Sequence, residues 1–450
     1  MAAIKKHNKL ARLSASALAL PGIAVEAGEK GYLTEDVLVR YHHATYSEPE
    51  GYMDVTVDQV FAEFPINSSM DGSFTYTKDV TSGASPVVNF LDLDGTPYQI
   101  LEAGASIEDT RDVYESAINY YGETYDLGFK VGSSTEDDYE SKYISATYKH
   151  FFNKKNTDIT IGTGYSTDDV WNVYDPNVLL LEPTQFNERR KREYYLAATQ
   201  LLDRNSLIQF NITYTDQFGS LSDPYKKSVV VDRALIPAFP RNIDLEATLR
   251  VVNESGLSRI INESILEGLD NLFGNLVGEE IDIVYLMDTF VGAIKDNRPD
   301  RRRQLISVLA YSRYFQSTNS AIHADYRYID DTWGTYSHTL QAKWKKRLND
   351  LWIVTPGIRY YTQHSAHFYD VVFQTTPEDG YVSSDYRLAG FGTLSYKLEF
   401  ALKASENVNV YVNAERYYRK HSLESNGSSK GHPIEDQTNS ILSLSIDGSF

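Results

Sequence analysis

The 450-residue sequence predicts an all-β protein: a transmembrane antiparallel β-barrel of about sixteen strands (range 14–18), with one helical insertion in a long external loop. Three observations predict it. The chain ends on strict alternation, with Leu442, Leu444, Ile446 and Phe450 on one face and Ser443, Ser445, Asp447 and Ser449 on the other. That is the period of a strand with one apolar and one polar side. Fifteen comparable segments precede it, each about long enough to cross a membrane when tilted. The long connections between them all fall on one side, as in barrels with tight turns on the periplasmic side and long loops outside, although two connections on the external side, 135–139 and 330–332, are themselves short.

The elements follow in order. Residues 1–27 read as a secretory signal. Lys5, Lys6, Lys9 and Arg12 form a basic start, Leu13 to Ala24 an apolar core, and Val25-Glu26-Ala27 a small-residue cleavage site. The apolar run is too short to span a bilayer, so the expected product is exported and unanchored. Residues 28–450 then form the barrel. Strands are expected near 37–47, 53–64, 69–79, 110–121, 123–134, 140–152, 156–171, 191–203, 205–217, 302–314, 318–329, 333–346, 349–363, 384–401, 405–419 and 437–450. Side-chain parity gives their facing. In 333–346, Tyr336, Leu340, Ala342 and Trp344 point to lipid, while Thr335, Thr339, Gln341, Lys343 and Lys345 point inward. In 384–401, Tyr386, Leu388, Leu394, Tyr396, Leu398 and Phe400 point to lipid, while Asp385, Arg387, Thr393, Ser395, Lys397 and Glu399 point inward. Charges that alternate with apolar residues fit a wet lumen. Sixteen strands leave room for water unless loops fill the barrel.

Two segments lie outside the strand pattern. Residues 80–109 are a loop rich in small and acidic residues, and 218–301 are a long excursion. Within the excursion Leu257, Ile260, Ile261, Ile265, Leu269, Leu272, Phe273 and Leu276 recur at helical spacing, with Asn253 or Ser255 as cap. Such a helix either packs on its own loop or folds into the barrel mouth as a lid.

Composition narrows the range of functions. The formal charge is −19, which disfavours nucleic acid as a partner. There are 34 Tyr, suited to the aromatic girdles at both membrane interfaces as well as to β-structure in general. There is no Cys, so disulfides, thiolate metal sites, Cys-attached haem and lipidation at Cys are excluded. No catalytic signature is present, and the expectation is a protein that is not an enzyme. Gly164-Tyr165-Ser166-Thr167-Asp168 lacks the second Gly of a hydrolase elbow. His364 and His367 are too poorly placed in a loop for metal chelation, and His42 and His43 point to opposite faces of a strand.

Arginines form the most suggestive lumenal constellation. Arg327, Arg359 and Arg387 are expected on three strands near their external ends, facing inward, and Arg419 joins them. A ring of guanidinium groups at a barrel mouth selects anions or binds phosphate. The alternative is a structural ladder in which these arginines pair with Asp325, Asp385 and Glu415.

Several strings go beyond generic barrel pattern: Asp79–Pro86, Asn297-Arg298-Pro299-Asp300-Arg301, Tyr326-Arg327-Tyr328, Asp331-Thr332-Trp333-Gly334, Arg359-Tyr360-Tyr361-Thr362-Gln363, His367-Phe368-Tyr369 and Asp385-Tyr386-Arg387-Leu388. Together they resemble a family of Gram-negative outer-membrane proteins of unknown function, DUF3570, from the signal to the C-terminus. The resemblance implies the outer membrane as location, outer-membrane lipid and the barrel-assembly machinery as partners, and association with a periplasmic flavin transferase and a small lipoprotein.

One string carries chemistry. Asp79-x-x-Ser82-Gly83-Ala84-Ser85 is similar to the motif that periplasmic flavin transferases modify, in which the last hydroxyl receives FMN as a phosphoester. By that similarity Ser85 is the acceptor of covalent FMN, Asp79 and Ser82 are recognition residues, and Gly83 and Ala84 let the backbone approach closely. Ser85 stands where Thr is commoner, and Pro86-Val87-Val88 follow where hydroxyl residues often do. Without a transferase, Ser-Gly-Ala-Ser-Pro reads as a plain turn leaving a strand. Three functions are expected in consequence. The first is a redox-associated, flavin-bearing barrel in envelope electron transfer. The others are a passive channel for polar or anionic solutes and a scaffold for a small lipoprotein.

Overall fold

Sixteen strands close into one antiparallel barrel in the computed structural model, which describes residues 36–48, 53–83, 86–91, 97–101, 109–171, 186–223, 226–231, 291–373, 375, 377–425 and 436–450. They are β1 (Leu38–Ser47), β2 (Met53–Asn67), β3 (Met70–Gly83), β4 (Asp109–Tyr121), β5 (Tyr125–Thr135), β6 (Tyr139–Phe152), β7 (Thr157–Trp171) and β8 (Phe186–Asp203). β9 (Ser206–Gly219), β10 (Arg301–Phe315), β11 (Ser320–Asp331), β12 (Tyr336–Arg347), β13 (Trp352–Gln363), β14 (Phe391–Lys403), β15 (Val408–Lys420) and β16 (Gln437–Ser449) follow. Each strand pairs with its sequence neighbours, and β1 closes the ring on β16. At that seam Arg40 Nε and Nη2 donate to the two carboxylate oxygens of Asp447 at 2.6 and 2.9 Å.

The wall sorts side chains by solvent. Ile118, Ile161, Leu340 and Leu442 lie on the outer face and are about half exposed (48–56%), because their neighbour is lipid rather than protein. Buried polar and charged side chains outnumber buried apolar ones among the described residues, the reverse of a water-soluble core. Tyrosines belt both ends of the apolar band. Tyr76 and Tyr114 lie 5.0 Å apart at the loop end, and Tyr125 and Tyr148 are 5.9 Å apart at the turn end.

The turn end is built from short connections with local side-chain caps. Asn67 Oδ1 accepts from Ser69 N at 2.8 Å, and Asp203 Oδ1 from Asn205 N at 2.7 Å, so the side chain takes over a turn hydrogen bond. Asn319 adopts a positive φ of 48°, a conformation Asn tolerates better than most residues. The other end carries all the long loops. Here Lys227–Val231 pairs antiparallel with Val291–Lys295 and parallel with Val372–Phe373, which joins the β9–β10 loop to the β13–β14 loop. A small hairpin, Pro86–Leu91 with Pro97–Leu101, occupies the β3–β4 loop.

Two expectations change. The strand expected at 384–401 starts only at Phe391. Ahead of it Tyr386–Leu388 forms a 3-10 turn, capped by Asp385, whose carboxylate accepts from Arg387 N at 3.0 Å. An Asp side chain that takes up a backbone N–H turns the chain out of extended pairing. Tyr386 and Leu388 therefore do not face lipid, and Asp385 and Arg387 do not point inward from a strand. The expected helical insertion is not found: the described residues contain no α-helix. Its segment, 253–276, lies outside the described residues, as do the signal at 1–27 and residues 84–85, 92–96 and 102–108 of the 80–109 loop.

Candidate functional site

The β13–β14 loop carries a small hydrophobic core of its own at the loop end of the barrel. Ala366, Phe368, Tyr369, Val371, Leu388 and Ala389 pack with Trp333 of the β11–β12 turn and Phe391 of β14. Trp333 is held from two sides. Arg302 of β10 stacks over its ring at 4.4 Å, and Asp331 accepts from its backbone N at 2.9 Å while binding Arg302 Nε at 2.8 Å. The next residue, Gly334, has φ +81°, a value that excludes most other side chains from this tight turn. Gln363 ends β13 and donates to the carbonyl oxygens of Arg387 and Ala389 at 3.0 and 2.6 Å, fixing the loop to the wall.

A cluster of charges ties the two long loops together. From the β9–β10 loop come Asp223, Lys226, Asp296 and Arg298, and from the β13–β14 loop come Asp385 and Arg387. Arg298 binds Asp296 at 2.7 Å and Asp385 at 2.9 Å, and Arg387 binds Asp385 and also Asp223 at 2.7 Å. Asn297 and Val382 exchange two backbone hydrogen bonds of 2.9 Å beside them. Burial opposes ionisation of Asp385, yet Arg387, Lys226 and Arg298 together hold its carboxyl well below the usual carboxylate range. Burial pushes Asp296 up, against the pull of Arg298. Burial also lowers Lys226, against the pull of Asp385 and Asp223. These residues weld the loops into one plug.

The expected arginine ring divides. Arg327 on β11, Arg359 on β13 and Arg419 on β15 do face the lumen. Arg387 reaches the mouth by the loop instead, and its partner is Asp385, as the ladder alternative expects. The other three form no ion pair within 4 Å among the described residues, so their expected partners Asp325 and Glu415 do not neutralise them in contact. The Nε atoms of Arg359 and Arg419 are buried without a hydrogen-bond partner among the described residues. Arg419 is 7% exposed, with its guanidinium 4.7 Å from the Tyr386 ring and 5.9 Å from that of Phe391. Arg327 is exposed although it points into the barrel.

The opposite wall differs. There Asp79 pairs with Arg111, Glu115 with Lys130 at 3.5 Å, Asp168 with Arg189 at 2.8 Å, and Glu193 with Lys191 at 3.0 Å.

Of the string resembling a flavinylation motif, Asp79 is a buried lumenal residue of β3, and its carboxylate accepts from Arg111 Nε at 2.8 Å. Ser82 and Gly83 end β3, paired with Asp54 and Met53. Ala84 and Ser85, and the side chain of Ser82, lie outside the described residues. His364 stacks on Tyr336 at 4.9 Å, and His367 Nδ1 lies 2.7 Å from the Trp333 carbonyl oxygen. The two imidazoles are thus separately engaged. His42 is buried inside the wall, and His43 meets Asp58 on the outside at 2.9 Å.

Sequence reading missed Asp223, Lys226, Asp296 and the role of Arg298. The signal was nonetheless present. The strings 297–301, 331–334, 359–363, 367–369 and 385–388, which carry the family resemblance, all converge on this plug and the wall beneath it.

Similar solved structures share the barrel at low identity. The "Bacterial polysaccharide outer membrane secretin" matches at 7% identity and a TM-score of 0.45, over 93% of this chain and 100% of its own. CdiB from Acinetobacter baumannii matches at 8% and 0.46, over 92% of this chain and 60% of its own. A loop-deletion form of OmpT, an outer membrane protein of Vibrio cholerae, matches at 7% and 0.36, over 92% and 98%. No curated protein matches the sequence. The family model described as "Protein of unknown function (DUF3570)" matches residues 10–446, nearly the whole chain, and the chain belongs to that family.

Proposed function

We propose that this protein is an outer-membrane channel for small polar solutes, with an external mouth narrowed by its own folded-in loops. One observation carries the reading: Arg327 points into the lumen and yet is exposed. A guanidinium without an ion-pair partner is stable there only in contact with water, because burying an isolated charge costs far more than the wall returns. Sixteen strands enclose a lumen of the size that holds an aqueous path. Reconstitution of the full-length protein in planar bilayers tests this. Discrete conductance steps are expected, and a protein that inserts and stays electrically silent overturns the channel.

A flavin-bearing redox role is the second reading, favoured by the Asp79–Ser85 string. Asp79 is engaged by Arg111 in the folded wall, so a periplasmic transferase that recognises it must act before β3 joins the barrel. Intact mass of protein from its native membrane, in cells that hold the transferase, decides it. A Ser85 peptide at unmodified mass removes the reading.

A further inference from the structure

We propose that Arg327, Arg359 and Arg419 form one lumenal site for the oxyanion group of a small solute, a phosphate or a carboxylate, and that the plug covers its third arm. The proposal rests on the channel reading and names what the channel selects.

The three arginines sit on alternate strands of one wall. Through the register, Arg327 pairs with Thr339, Thr339 with Tyr361, Tyr361 with Thr393, and Thr393 with Arg419. Arg327 and Arg419 thus share one row across the wall. Arg359 lies two residues lower on β13, in the row of Gln341 and Ser395. Neighbouring arginines are two strand spacings across and two residues along, about 12 Å at the backbone, and Arg327 and Arg419 are four spacings apart, about 19 Å. Long side chains from such positions can converge on one ligand. Hydroxyl and amide groups of Thr339, Gln341, Thr393 and Ser395 lie between them, and Thr339, Thr393 and Ser395 are buried.

Like charges held together without contact acids repel, so the arrangement is stable only with help. Asp325 lies two residues from Arg327 on the same face of β11. Arg419 gains its help from the plug, whose Tyr386 ring lies over the guanidinium with Phe391 behind it. Two guanidinium Nε–H donors in this wall have no acceptor among the described residues. A buried donor left unsatisfied is costly, and an oxyanion with several acceptor oxygens matches the planar guanidinium fork. Lifting Tyr386 exposes Arg419 and completes the site. Solute binding and plug closure therefore compete for the same guanidinium.

Equilibrium dialysis of the detergent-solubilised full chain tests this without requiring conductance. The probes are radiolabelled inorganic phosphate and, in a separate arm, succinate. Saturable binding of at least one is expected, and the stronger of the two names the oxyanion class. Arg359→Gln is expected to weaken it by roughly tenfold or more, the loss of one charged hydrogen-bonding partner. Arg359→Lys, which keeps the charge and loses the fork, is expected to fall between. Tyr386→Ala, which uncovers Arg419, is expected to tighten binding. Folding of each variant is checked by its heat-dependent gel mobility. Absence of binding in the folded wild-type chain overturns the proposal. So does binding that Arg359→Gln leaves unchanged or that Tyr386→Ala weakens. Conductance with no binding removes this site alone, whereas binding with no conductance removes the channel and leaves the site.

Discussion

The two walls of the lumen obey the same alternation and use it differently. Along β3–β8 the inward acids and bases lie in contact pairs, such as Asp168 with Arg189 and Glu193 with Lys191. Along β11–β15 Arg327, Arg359 and Arg419 form no contact ion pair among the described residues, and the plug leans on that wall through Gln363 and Arg419 and on the neighbouring β10 through Arg302. Paired charges cancel each other's field and hold strands in register. Unpaired ones keep their field for whatever enters the barrel. The comparison teaches that inward charge alone does not mark a functional wall; lack of contact neutralisation does.

The largest expected effect comes from separating the plug from its wall. In Asp385→Asn, the buried Arg298 and the half-exposed Arg387 both lose the anion they share. Removing one partner of a buried pair costs about 3–5 kcal/mol locally. The plug is expected to open, seen as a several-fold rise in conductance and new protease cleavage within 364–390. Unchanged conductance with intact protease resistance would mean that the charge cluster does not hold the mouth.

Next is the paired wall. Arg111→Gln leaves Asp79 as a buried carboxylate without its cation. About 1–3 kcal/mol of barrel stability should be lost, measured as a lower temperature for the heat-dependent gel shift, with ion selectivity nearly unchanged. Arg359→Gln should do the reverse. It removes a charge that has no contact partner, so the gel-shift temperature should hold within the span of about 0.5 kcal/mol typical of neutral substitutions. The reversal potential in a salt gradient should move toward cations. If both variants shift stability and selectivity alike, the distinction between the walls fails.

How much of this was legible in the sequence follows from what alternation records. Each wall residue meets one of two solvents, so Leu340, Trp344 and Leu442 announce lipid and Thr339 and Lys343 announce the lumen directly. Parity likewise placed Arg327, Arg359 and Arg419 correctly. It failed at Asp385-Tyr386-Arg387-Leu388, where polar and apolar residues alternate as in a strand but for another reason. Tyr386 and Leu388 pack against the plug core, and Asp385 and Arg387 bind partners on a different loop. Arg387 and Asp223 are 164 positions apart, and Arg298 and Asp385 are 87 apart. No local period encodes contacts of that range. Only the strings 297–301 and 385–388, singled out for resemblance and not for any physical pattern, pointed there.

The smallest expected effect is of pH on the plug, and its sign follows from two acids. Asp385 has its carboxyl lowered on folding, so its stabilising contribution is complete above the ordinary value of about 3.9 and fades only as the pH falls through the lower folded value. Asp296 has its carboxyl raised by burial, so its ionised form costs stability at neutral pH. Acidification through its folded value relieves that cost instead of adding to it. Neither acid therefore loosens the plug in mild acid. Conductance and protease resistance of the mouth should stay level from pH 7 down to about pH 4, near the ordinary Asp value, and change only in stronger acid as Asp385 takes up its proton. A mouth that opens between pH 6 and pH 5 would show that some other group holds the two loops together, and the Asp385 pairs would then be a consequence of closure and not its cause.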